Sequence, residues 1–119
     1  MYRVLVIYKL SSECFSDKRF EVIDGLHGSI GGKTGEYVAA AKAIVHEQFH
    51  YSVTGDFREG VNYLSFRTPE ECVAAVASLV SDPERIQAMK RANAAYYQES
   101  LRPDMLVKHT LEVVDATLK

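Results

Sequence analysis

Two short apolar runs, Tyr2–Tyr8 and Ala43–Glu47, flank a glycine-dense stretch and an alanine-rich one. That order is what most restricts the fold. Runs this short and rich in Val, Ile and Tyr suit strands buried on both faces, as in parallel sheets. Turn chemistry follows the first run at Ser11-Ser12-Glu13 and Ser16-Asp17. A second short strand is expected at Phe20–Ile23, stopped by Asp24-Gly25, and a last one at Asn62–Phe66. Glu36–Lys42 reads as a short helix leading at once into Ala43–Glu47, and the pattern is lost from Gln48 to Gly60, a long loop. Strands divided by helical segments and short connections imply an α/β layer with a small, mostly parallel sheet.

The C-terminal half is expected to be a helical segment with clear start signals. Thr68-Pro69-Glu70-Glu71 joins an N-cap threonine, a proline at the first helical position and a glutamate at the third, a capping box. Cys72, Val76, Leu79 and Val80 form its apolar stripe. Asp82-Pro83 repeats the start signal ahead of Ile86, Met89, Asn93, Tyr96 and Tyr97. Arg102-Pro103-Asp104 opens a last helix striped by Val107, Leu111, Val114 and Leu118. Together the elements make about half of a doubly wound fold, expected as a single domain over residues 1–119.

Composition removes several classes of function. The chain is 47% hydrophobic and 25% charged, which is globular rather than disordered, and its net charge of -2 gives no pull toward nucleic acid. Lys18-Arg19 and Lys90-Arg91 are the longest basic runs and read as solvated surface. No apolar stretch approaches the ~20 residues of a transmembrane segment. Val4–Tyr8 follows a single arginine without a small-residue cleavage site, so it reads as a strand rather than a signal peptide. Cys14 and Cys72 match neither a disulfide framework nor a zinc spacing, and reduced thiols in a cytoplasmic protein are expected.

Five of the seven glycines fall between Gly25 and Gly35. A glycine-rich turn between a strand and a helix lets backbone amides approach a phosphate, and a helix N-terminus adds partial positive charge. Lys33 and Ser29 would add a cation and a hydroxyl; the competing reading is a surface loop with left-handed turns. Neither named phosphate motif fits. The P-loop would need glycine where His27 stands, and Leu26-His27 breaks the dinucleotide pattern between Gly25 and Gly28.

Read onward, Lys33-Thr34-Gly35-Glu36-Tyr37-Val38-Ala39-Ala40-Ala41-Lys42-Ala43-Ile44-Val45 resembles the donor-site signature of the group 1 glycosyltransferases, Lys-x-x-Glu-Tyr-Leu-Ala-x-Gly-Lys-Pro-Ile-Val. Glu59-Gly60-Val61-Asn62-Tyr63-Leu64-Ser65-Phe66 is similar to the family's following strand. Thr68-Pro69-Glu70-Glu71, a helix and Ser81-Asp82-Pro83-Glu84-Arg85 then resemble its ending. This chain departs from the pattern at Gly28, where the family has an acidic residue, and at Ala41 and Ala43, where it has glycine and proline.

The resemblance implies a partial Rossmann-like domain, the C-terminal, nucleotide-sugar-binding half of a retaining-type enzyme. It implies transfer of a hexose from a nucleoside diphosphate sugar to a carbohydrate or lipid-linked acceptor. Glu36 would hydrogen-bond the ribose, against the alternative of a solvated carboxylate. Gly28, Ser29 and the helix N-terminus would face the diphosphate. Lys33 would pair with the diphosphate or with Glu36, and His27 would touch phosphate or sugar or serve as a structural hydrogen-bonder. No cofactor beyond the donor substrate is implied. No metal is expected either, since Asp-x-Asp is absent and His46, His50 and His109 lack a carboxylate at ligand spacing. The resemblance leaves the N-terminal acceptor domain as a missing partner, and the isolated chain is expected to be an incomplete catalyst. A half-fold with an open sheet edge or a bare helix face also points to a homodimer. A non-catalytic nucleotide- or phosphate-binding module and a structural interaction domain are the competing functions.

Overall fold

The computed structural model describes residues 4–7 and 32–119. Among these residues three strands, β1 (Val4–Ile7), β2 (Ala43–Glu47) and β3 (Leu64–Phe66), form one parallel sheet in that order. Val4 lies opposite Ala43, and Val45 opposite Leu64. Within the described residues four α-helices accompany it: α1 (Gly32–Ala39), α2 (Pro69–Val80), α3 (Pro83–Tyr96) and α4 (Pro103–Leu118), with a π-helical turn, Tyr97–Leu101, between the last two. The α/β class and the parallel sheet stand as expected. The strand expected at Phe20–Ile23 lies outside the described residues.

Two boundaries differ from the sequence reading. Helix α1 starts at Gly32, so Gly32–Gly35 are its first turn rather than part of a loop. Glycine disfavours a helix by only about 1 kcal/mol per residue, and packing overrides that. In compensation, α1 ends before Lys42. The N–H of Ala41 bonds the Val38 carbonyl at 2.9 Å and that of Lys42 bonds Tyr37 at 3.0 Å, while Ala41 takes a left-handed φ of 51°. This is the helix-ending motif in which glycine is the usual occupant, because only glycine enters that region without a Cβ penalty.

Strand β3 is also shorter than expected, because Asn62 is used elsewhere. Its side-chain oxygen accepts from the Arg58 N–H at 2.9 Å and its amide donates to the Asn93 side chain at 3.0 Å. Gly60 provides the left-handed turn, φ 81°, that sets this up. Parallel neighbours normally need a crossover helix. Between β2 and β3 the crossover is instead an irregular connection, folded around rings. Phe57 stacks on Tyr63 at 5.1 Å, and Phe49 meets Tyr63 edge-on at 4.9 Å.

The core has two parts, one on each face of the sheet. Ala43, Val45 and Phe66 face Leu79 of α2 and Ile86 and Met89 of α3. On the other face Ile44 packs with Val38 of α1 and Tyr96, bordered by Phe57, Tyr63 and Leu101. Helix α3 serves both parts by passing across the amino ends of the strands. There Asn93, fully buried, donates to the carbonyls of Lys42 at 2.7 Å and Asn62 at 2.9 Å. One turn earlier, Met89 Sδ accepts the Ile44 N–H at 3.4 Å. Tyr96 donates its hydroxyl to the Thr54 carbonyl at 2.6 Å, and burial pushes its phenol pKa up.

The helix starts follow the sequence closely. Thr68 Oγ1 accepts the Glu71 N–H, and Asp82 Oδ1 accepts that of Arg85. The Glu71 carboxylate closes back on the Arg67 N–H at 2.7 Å, one residue before the cap. Within the α2 stripe Leu79 is buried and Cys72 and Val76 half-buried, but Val80 is exposed. The Cys72 thiol is free and its pKa is raised by burial. Among the described residues no helix is long and apolar enough to cross a membrane.

Candidate functional site at the carboxyl edge of the sheet

Parallel strands point all their carboxyl ends to one side, and that side is where open α/β sheets take ligands. The tight turn at Ala40–Lys42 sends α1 antiparallel to β2, so the α1 N-terminus and Glu47 belong to that carboxyl edge. The opposite edge is filled by α3.

Along α1 the side chains divide by helical spacing. Thr34 and Val38, four residues apart, are buried, whereas Lys33 and Glu36 are exposed on the outer face. Lys33 Nζ reaches Glu36 Oε2 at 2.9 Å. The hydrogen bond and charge of that carboxylate raise the Lys33 pKa, so the ammonium persists well into alkaline solution. The structure thus brings together two of the five expected site residues. His27, Gly28 and Ser29 lie outside the described residues.

Two atoms stand out that the sequence did not single out. Thr34 Oγ1 and Glu47 Oε2 are buried without a hydrogen-bond partner among the described residues. An unpaired buried polar oxygen costs about 1–3 kcal/mol, and both lie at the carboxyl edge. The sequence signal for Thr34 is its four-residue spacing from Val38, which counts only once Gly32–Gly35 are helical. His46 is buried in the core face, with Nδ1 2.7 Å from the Glu47 carbonyl and its ring 4.2 Å from Phe49. That is a packing role. Tyr96 is likewise part of the core and Tyr97 packs against it. Among the described residues no group of three His, Cys, Asp or Glu is arranged to hold a metal.

Comparison with protein-family models, with curated proteins and with solved structures gives no match. The functional reading therefore rests on the residues and their geometry.

Proposed function

We propose that this chain is the nucleotide-sugar-binding portion of a glycosyltransferase, with a partial Rossmann-like fold, acting in the transfer of a hexose to a carbohydrate or lipid-linked acceptor. The observation that carries the reading is Ala41. The glycosyltransferase signature has glycine at this point, and in this chain Ala41 closes α1 in the left-handed conformation that glycine favours, φ 51°. The resemblance thus extends from letters to backbone shape, in register with Glu36.

The carboxyl-edge geometry suits the proposed task. The Glu36 carboxylate has acceptor capacity for ribose hydroxyls, and Lys33 holds it by the 2.9 Å ion pair. The amides at a helix N-terminus have no intrahelical partners and carry partial positive charge, which at α1 suits a diphosphate, with Gly28, Ser29 and His27 as the proposed donor-binding residues just before it in sequence. The same charge would stabilise the diphosphate as it departs. Orienting the acceptor falls to an acceptor domain across a cleft.

Amide NMR titration of the chain with UDP, GDP and ADP tests this. Shifts confined to residues 25–37 with one preferred base are expected, and Glu36→Ala should abolish them with an unchanged melting temperature. Its exposed pair with Lys33 is worth at most about 1 kcal/mol. Absence of any shift at millimolar nucleotide, or equal binding by the variant, would overturn the proposal. Binding that persists without turnover when an acceptor domain is supplied would favour a non-catalytic nucleotide-binding module.

A further inference from the structure

Helix α4 leaves the body of the protein at a fixed corner. Arg102 is extended, φ -56° and ψ 135°, as residues before proline prefer. Its guanidinium grips both carboxylate oxygens of Asp104, at 2.6 and 2.8 Å, and Gln98 at 2.9 Å. Beyond that corner no residue of α4 is buried, and among the described residues its main packing partner is the π-helical turn it follows. Yet the helix is not polar. Val107, Leu111, Val114 and Leu118 are all exposed, Leu111 by 62% and Leu118 by 81%.

The spacing of these four residues is four, three and four. That is the spacing of a coiled-coil seam, with the exposed Leu106 and Val113 widening the apolar face on one flank. The charges beside the seam select a partner. Lys108 lies just after Val107, and Asp115 lies just after Val114, the equivalent position one repeat further on. When two copies of this helix run antiparallel, Leu111 meets Val114 of the second copy and Val107 meets Leu118. In that register Lys108 falls beside Asp115 of the second copy, and the reverse pair forms by symmetry. On the other flank Thr110 lies opposite Thr117 of the second copy. Both hydroxyls already bond the Leu106 and Val113 carbonyls of their own helix at 2.8 Å, so neither needs a partner across the seam. A parallel pairing would place lysine beside no acid at these positions.

We propose that α4 is the interface of an antiparallel, two-fold homodimer, held by the Val107–Leu118 seam and reciprocal Lys108–Asp115 ion pairs. The dimer stands independently of the donor-site reading. In the single chain Lys108 is 4.0 Å from Glu112 and Asp115 is 2.9 Å from Lys119, all solvent-exposed, so both charges can be redirected at little cost. Two heptads make a small seam beside the roughly 1,200–2,000 Å² of a standard interface, so a weak dimer, with a dissociation constant on the order of tens of micromolar, is expected.

Sedimentation velocity of the chain across a concentration series, with far-UV circular dichroism as the control on helix content, tests the proposal. The wild type should pass from monomer to dimer at tens of micromolar, and Leu111→Asp should remain a monomer with the fold retained. Lys108→Asp and Asp115→Lys should each weaken the dimer about tenfold, and the two together should restore it. A wild-type monomer at several hundred micromolar, as when another domain is the occupant of this face, would overturn the proposal. So would a dimer unaffected by Leu111→Asp, or a double variant no better than either single one.

Discussion

Helices α3 and α4 begin alike and end differently. Each opens on a proline with an acidic residue in its first turn, and each carries an apolar stripe. Helix α3 buries Ile86, Met89, Asn93 and Tyr96, whereas α4 buries nothing. The α4 helix is the more apolar of the two along its length, so hydrophobicity does not decide which docks. What α3 has, and α4 lacks, is a polar residue that meets unpaired backbone. Asn93 donates to the carbonyls of Lys42 and Asn62 at the strand entrances, backbone groups that need a partner wherever they leave water. The stripe provides the favourable burial, and the asparagine fixes where it is placed.

The largest effect should come from removing that device. Asn93→Leu keeps the number and branching of side-chain heavy atoms and adds apolar surface, yet strands two carbonyls and the Asn62 amide. A loss of about 4 kcal/mol in urea denaturation is expected, from roughly 1–3 kcal/mol for each buried group left unpaired. A neutral result would mean that apolar burial alone docks α3. Next comes a matched pair of truncations. Ile86→Ala, in the core, should cost about 3 kcal/mol, while Leu111→Ala should change stability by less than about 0.5 kcal/mol at concentrations where the chain is monomeric. Comparable losses would show that the α4 stripe is covered in solution by the same chain. A third, opposite effect is a gain beside the carbonyl that Asn93 holds. Ala41→Gly relieves the left-handed alanine without touching the clamp and should stabilise by about 1 kcal/mol, read as a higher melting temperature.

How much of this was legible varied with the chemistry of each segment. The starts of α2 and α3 were plain, because Thr68-Pro69 and Asp82-Pro83 encode their caps locally. Strand β2 was readable to the residue, since Ala43–Glu47 is bounded by a helix end and a loop. The start of α1 was not, because Gly32 and Gly35 carry no side chain to declare a preference and no capping residue marks the turn. The role of Asn62 was equally hidden. It sits in what reads as a strand, and its partner Asn93 is 31 residues away. The exposure of α4 could not be read either, because a repeat tells which face is apolar but not what lies against it. At the candidate site, Lys33 and Glu36 were chosen from a motif and meet in space, while Thr34 and Glu47 emerged only with the fold.

The Asn93 clamp also bears on the order of events in folding. It joins segments that lie 51 and 31 residues away along the chain, and the parallel pair β2–β3 has no crossover helix to shorten the search. A bond that needs both strand entrances and α3 in place closes late, after the rate-limiting step has brought most apolar surface together. Its loss should then appear almost wholly as faster unfolding, with the refolding arm of the chevron little changed. The asparagine acts as a latch on a door already shut: it sets how long the native state lasts rather than how quickly it is reached.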